Sequence, residues 1–298
     1  MKIGYFADGP WSHKSLEKII EDPRYEIVFI VPRFENQDPI LKLFAKKLNV
    51  DFLVLKNVNS IKSLKILESY NADLFVSMSF NQIIKKNLIN SVPKGFINCH
   101  AGKLPFYRGR NVLNWVLING EKDFGITVHY IDEGIDTGDI ILQKTIQIED
   151  CDNYGTLLEK AYVNCAELLV KSLNLIINNN VKVIKQNDIH PQGSYCRGRK
   201  EGDEILDWKN NCTIIHNFVR ALTIPGPCAR TFLNNTEIML YDSEELETIS
   251  EDYSDPGTVL EVKKNKLIIK TATYDLLITK YSIIGDKYLK IKKGDILS

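Results

Sequence analysis

The feature that most constrains this chain is an alternation in its first half. Short, continuously apolar runs are separated by segments whose apolar residues recur at helical spacing. Residues 2–7 (KIGYFA), 25–31 (YEIVFIV), 52–55 and 74–78 (LFVSM) read as strands, and 96–98 opens another strand after Pro93 and Gly95. Residues 15–20, 40–48 and 61–70 between them read as helices. Strands that are apolar on both faces and alternate with helices pack as a mostly parallel sheet covered on both sides. The fold class expected is therefore α/β, with a Rossmann-like, mostly parallel sheet. Such sheets take their ligands in the loops at the carboxyl ends of the strands.

The pattern continues with a helix over 110–118, strands over 125–131 and 140–148, and a long amphipathic helix over 154–177. The texture then changes. A helix over 212–221 is followed by short alternating runs (TFL, TEIMLY, GTVLEV, KLIIKTA, YDLLITKY, KYLKIKK) with Gly, Asn and Asp between them. These predict a small all-β module, a barrel. The expected division is a catalytic domain over 1–200 and a β domain over 201–298.

Composition removes several classes of function. Lys plus Arg and Asp plus Glu are 38 each, so the net charge is zero and lacks the basic excess of a dedicated nucleic-acid binder. A neutral total can still hide a local basic cleft. None of the six cysteines forms a CxxC pair, so no metal is expected. No apolar run is long enough to span a membrane and the first residues lack a signal-peptide pattern, which predicts a cytoplasmic protein. The loop after the first strand reads Ala7-Asp-Gly-Pro-Trp-Ser, not G-x-G-x-x-G, so a dinucleotide site has no support.

Chemistry concentrates in residues 96–110, FINCHAGKLPFYRGR. Asn98 and His100 lie two apart as a strand gives way to a loop, so at extended spacing they face one side. Arg108 and Arg110 precede a helix start, an arrangement suited to an anion such as phosphate. A second polar loop, 132–139, supplies Asp132, Asp136 and Asp139 around Gly134 and Gly138. Taken singly, each of these side chains reads as a turn residue, a hydrogen-bonded loop histidine or a solvated charge. Together, a carboxamide, an imidazole and a carboxylate can run acyl transfer. His accepts the proton of an attacking amine, Asn donates to the oxyanion, and Asp stabilises the protonated imidazole.

The stretch Asn98-Cys-His100-Ala-Gly-Lys-Leu-Pro-Phe-Tyr-Arg-Gly-Arg110 resembles the N-x-H…LP-x-x-RG signature of the folate-dependent formyltransferases. Residues 131–139, IDEGIDTGD, resemble their second signature, and DEILDW, IHNFVRA and PGP near residues 203–227 resemble the start of their C-terminal domain, which implies that the barrel is OB-like. The resemblance implies formyl transfer from 10-formyltetrahydrofolate to an amine, with Asn98, His100 and Asp136 catalytic. It places the folate against Ser79, Phe80, Asn81 and Ile83 and against Ile131, Asp132 and Gly134, mainly through the main chain.

The text from Tyr107 through Arg108, Arg110, Asn114 and Trp115 resembles the formyltransferase half of bifunctional polymyxin-resistance enzymes, which act on a UDP-linked 4-amino sugar. This implies a UDP- or dTDP-linked 4-amino-deoxy sugar as acceptor, in surface glycan (lipopolysaccharide) biosynthesis, with those five residues and Arg197 against it. Methionyl-tRNA is the alternative acceptor. Lys103 stands where many relatives read S-L-L-P, and either touches substrate or faces solvent. Arg199 and Lys200 join Arg197 as candidates for the phosphate end. The barrel is left to complete the sugar pocket or to form a homodimer contact.

Overall fold

The computed structural model describes residues 1–246, 254–286 and 288–298. Its strands are β1 (Lys2–Ala7), β2 (Glu26–Pro32), β3 (Asp51–Phe52), β4 (Leu74–Met78), β5 (Phe96–His100), β6 (Arg108–Gly109), β7 (Asp123–Tyr130), β8 (Ile140–Gln147), β9 (Tyr195–Cys196), β10 (Ala229–Leu233), β11 (Thr236–Glu245), β12 (Val259–Lys263), β13 (Lys266–Ile269) and β14 (Leu276–Ile283). Its helices are α1 (Gly9–Ile20), α2 (Pro39–Leu48), α3 (Ile61–Glu68), α4 (Lys86–Ile89), α5 (Val112–Ile118), α6 (Tyr154–Ile177), α7 (Gln186–Ile189) and α8 (Cys212–Leu222). Two compact units interleave along the chain. One comprises Met1–Gly109, Phe124–Ile146 and Glu159–Cys196; the other comprises Arg110–Asp123, Gln147–Leu158 and Arg197–Ser298.

The first unit holds a seven-stranded sheet in the order β3-β2-β1-β4-β5-β7-β8. The pairs from β3 through β5 are parallel, whereas β7 runs antiparallel to β5. The central strands are buried on both faces, as their unbroken apolar text requires. Phe6, Phe29, Phe75 and Phe96 meet edge-on or tilted on one face, with Phe6 and Phe75 centroids 5.2 Å apart. Gly4 makes room for this cluster, since a Cβ there would lie 2.3 Å from the Phe29 ring. Helix starts follow their local chemistry. Asp38 accepts from the Ile40 and Leu41 amides ahead of Pro39, and Ser60 accepts from the Ser63 amide.

The second unit is built on a five-stranded sheet in the order β10-β11-β14-β13-β12, antiparallel in every pair. The last residues join its two edges. Ser298 exchanges both backbone hydrogen bonds with Phe232 of β10, while the Val259 amide donates to Asp295 and the Leu297 amide to Gly257. The C-terminal segment thereby bridges the two edge strands, closing the sheet toward a small barrel. Of the KYLKIKK run, residues 288–293 form no strand, and Lys287 lies outside the described residues. Helix α8, capped by the Asn211 side chain, sets Cys212, Ile215, Val219 and Leu222 into the barrel core, with Ile118 of α5 packed against it. No helix among the described residues is long and apolar enough to cross a membrane.

Candidate active site

Strands β5 and β7 build the centre of the site. Their antiparallel register sets Asn98 opposite His129 and His100 opposite Thr127, so the side chains of a pair share one face. The Asn98 amide nitrogen lies 3.3 Å from His129 Nε2. Past the end of β7, the chain turns at Asp136, which has left-handed backbone (φ 53°). Asp136 Oδ2 lies 3.7 Å from His100 Nδ1, and its Oδ1 lies 3.6 Å from His129 Nε2. One carboxylate thus faces two imidazoles and sits beside a carboxamide.

Backbone carbonyls set the tautomers, because a carbonyl can only accept. His100 Nε2 donates to Tyr107 O over 2.7 Å, which leaves Nδ1 toward Asp136. His129 Nδ1 donates to Tyr130 O over 2.7 Å, which leaves Nε2 toward Asp136 and Asn98. Both histidines are buried, at 8% and 2% exposure. Burial pushes the Asp136 carboxyl up, but His100, His129 and the Gly109 amide together outweigh it and hold the group well below the usual carboxylate range. Gly102 is required here, since a Cβ would lie 2.5 Å from both His100 Nε2 and Tyr107 O. Thr127 and Gln143 fasten the same loop by hydrogen bonds to Gly102 O and Leu104 O. These groups can take a proton from an amine, hold the resulting charge beside a carboxylate, and donate to a developing oxyanion.

The structure therefore brings Asn98, His100 and Asp136 together, and it adds His129, which sequence reasoning missed. A histidine inside the otherwise apolar 125–131 run was the available signal. Among the folate-side residues, the Ser79 carbonyl and hydroxyl are held by Arg33. Phe80 packs edge-on against Phe6, and Ile131 flanks the same aromatic cluster. Asn81, Ile83, Asp132 and Gly134 are exposed. The Asp132 carboxylate accepts from Gly134 N and the Thr137 hydroxyl, which shapes the loop before Asp136. Lys103 is half-buried, and its main chain packs on Gly125.

Several of the expected substrate contacts already have partners within the chain. Arg108 is 5% exposed, and its guanidinium is held by Gln186, Gln192 O and the Tyr195 hydroxyl. Asn114 is 2% exposed and donates to Ala221 O over 2.6 Å, tying α5 to α8. Trp115 Nε1 donates to Arg197 O, while the Arg197 guanidinium stacks over the indole at 5.1 Å and pairs with Asp203. That pairing lowers the Asp203 carboxyl to about 2. Tyr107 acts through its carbonyl on His100 and donates its amide to Ser194 Oγ. Arg110 remains exposed, with its stem against Gly198.

Arg199 behaves differently. Its amide donates to Asn111, but guanidinium Nε and Nη1 are shielded from solvent and have no hydrogen-bond partner. Burial raises the Tyr154 hydroxyl, and the nearby Arg199 charge pulls it back down. Among the described residues no cluster of three or more His, Cys, Asp or Glu side chains is placed to hold a metal.

A mostly parallel sheet carrying a carboxamide, two imidazoles and a carboxylate, with an antiparallel β unit following in the chain, has the groups that acyl-type group transfer uses. The chain belongs to the formyltransferase family and is a formyl-transferring enzyme: residues 31–173 match the formyl transferase domain and residues 199–294 the formyl transferase C-terminal domain. It is 31% identical over 299 residues to methionyl-tRNA formyltransferase of Staphylococcus epidermidis, covering 97% of this chain and 94% of that one. It is 33% identical over 228 residues to the bifunctional polymyxin resistance protein ArnA of Wigglesworthia glossinidia brevipalpis, covering 76% of this chain and 34% of that one. Among solved structures it resembles WlaRD, a sugar 3N-formyl transferase crystallised with dTDP and 5-N-formyl-THF. The TM-score is 0.71 at 25% identity, over 96% of this chain and 98% of that one.

Proposed function

We propose that the protein transfers the formyl group of 10-formyltetrahydrofolate to the amine of a UDP- or dTDP-linked 4-amino-deoxy sugar, in surface glycan biosynthesis. The amine nitrogen attacks the formyl carbon, and Asn98 donates an amide N–H to the oxyanion that forms. His100, whose Nε2 hydrogen is committed to Tyr107 O, takes the amine proton at Nδ1 beside Asp136. The bond from the formyl carbon to N10 of the folate then breaks, and N10 recovers that proton. Tetrahydrofolate and the N-formyl sugar leave.

The observation that carries the acceptor class is Arg199. A guanidinium whose Nε and Nη1 are dry and unpartnered is an unmet demand for an anion, and planar N–H pairs match phosphate oxygens. Arg110, exposed and packed on Gly198, lies one residue from the Asn111 that anchors the Arg199 amide. A nucleotide sugar supplies a diphosphate for such a receptor. The likeness to WlaRD and to ArnA supports the same reading.

Methionyl-tRNA is the second reading, favoured by full-length similarity to methionyl-tRNA formyltransferases. Mixing the protein with 10-formyltetrahydrofolate and UDP- or dTDP-linked 3-amino and 4-amino sugars, or with methionyl-tRNA, decides between them. Tetrahydrofolate release with an amino sugar is expected. Release with methionyl-tRNA alone overturns the acceptor assignment.

A further inference from the structure

We propose that Gln186 is a positioning residue for formyl transfer, one that holds the Asp136 carboxylate between the two imidazoles through hydrogen bonds to the main chain around it. The proposal rests on the reading of Asp136 as catalytic. The turn at Asp136 gains from such support, since its left-handed backbone is tolerated by aspartate at a modest cost that surrounding hydrogen bonds offset. Its side chain is held by the Gly109 amide, which donates to Oδ2 over 2.8 Å. Its main chain is held by Gln186, whose Nε2 donates to Asp136 O at 2.9 Å and to Gly138 O at 2.8 Å.

The other end of the same carboxamide fixes which way it points. Gln186 Oε1 accepts from Arg108 Nε at 3.0 Å and from Nη2 at 2.7 Å. A guanidinium can only donate and the two carbonyls can only accept, so the amide has one satisfied orientation. Gln186 is 3% exposed, so its partners are shielded from bulk solvent. Arg108 is itself anchored by Gln192 O and by its amide on Ser194 O, where β6 pairs with β9. Both ends of Asp136 therefore hang on one dipeptide. Gly109 grips the carboxylate directly, and Arg108 grips the backbone through Gln186.

Leucine at 186 would leave two carbonyls and two guanidinium N–H groups buried and unpaired. Glutamate would keep the Arg108 pairing but turn an acceptor toward two carbonyls. Both changes release the turn at Asp136 without touching a substrate. Displacing a reacting group by about an ångström costs on the order of a hundredfold. Gln186→Leu and Gln186→Glu are therefore expected to lower kcat by roughly ten- to a hundredfold, with KM for 10-formyltetrahydrofolate and for the acceptor little changed.

The test uses the full chain, and tetrahydrofolate release is followed with the acceptor that turns over. Gln186→Leu, Gln186→Glu and Asp136→Asn are measured singly, and each Gln186 variant is also combined with Asp136→Asn. Hydrogen exchange of the segment 133–140 provides a readout that needs no acceptor. A kcat loss that disappears in the Asp136→Asn background, with faster exchange in 133–140, is expected. Losses that multiply in the double variants, an unchanged kcat, or unchanged exchange in 133–140 overturn the proposal. If Gln186→Leu does not fold, Gln186→Glu carries the test. Near-normal turnover by Asp136→Asn itself removes instead the reading on which the proposal rests.

Discussion

Replacing Asp136 by asparagine isolates the charge from the shape of the site. Asparagine tolerates left-handed backbone and its oxygen can still accept from Gly109 N. Its amide can donate to His100 Nδ1 or His129 Nε2, so the fold should survive. What is lost is the attraction between a carboxylate and the imidazolium that exists once the amine proton has moved. At 3.7 Å, with an effective dielectric of about 20, that attraction is about 4 kcal/mol. This corresponds to roughly a thousandfold in kcat. The assay is steady-state tetrahydrofolate release, with thermal unfolding as the check on folding. Because the Asp136 side chain is only 14% exposed, the loss should be nearly the same in low and high salt. A kcat within tenfold of the parent, or a loss that vanishes at high salt, would refute the electrostatic account.

Asn114→Leu should lower stability by about 1–3 kcal/mol by orphaning the buried Ala221 carbonyl. Urea unfolding checks this, and a raised acceptor KM at unchanged stability would contradict the scaffold role. The folded-state pKa of Asp136 lies below its unfolded value of about 3.9, so its ionised form adds stability that is complete above that value and lost as pH falls through the folded one. The stability difference between the parent and Asp136→Asn should therefore narrow from about pH 5 down to about pH 2, and a difference that stays constant would exclude this linkage. Arg199→Met should abolish the rise in Tm that dTDP or UDP gives the parent, while leaving the unliganded chain as stable or more so. An undiminished ligand-induced rise would remove Arg199 from nucleotide binding.

Asn98, His100 and Asp136 were legible as a candidate set because they lie in two short stretches whose spacing carries its meaning. The parallel sheet was legible because strands buried on both faces must be written in apolar residues. His129 was not, because its role depends on β5 and β7 running antiparallel in a register that sets it opposite Asn98. Local text does not specify that pairing. Gln186 was hidden for a similar reason, since its partners Arg108 and Asp136 lie 78 and 50 residues away. Helix α5 reads as part of the first half, yet Asn114 bonds Ala221 and Ile118 packs on the barrel core, so 110–123 falls in the second unit. Barrel closure by Asp295–Ser298 was equally unreadable, because isolated backbone pairings need no side-chain pattern.

Four arginines cluster in two stretches of this sequence, and a charge count treats them alike. The structure separates them by what each guanidinium already holds. Arg108 is consumed by Gln186 and its neighbours, and Arg197 by Asp203 and the Trp115 ring. Arg110 is exposed, and solvent can satisfy it at no cost to folding. Arg199 alone among these four keeps N–H groups that are both dry and unmatched. A buried donor without an acceptor destabilises the fold by about 1–3 kcal/mol. An anion bound there would give those N–H groups acceptors and recover part of that cost. Unmet hydrogen-bonding capacity, rather than net charge, is therefore what marks Arg199 as the candidate anion contact in a chain with 38 charges of each sign.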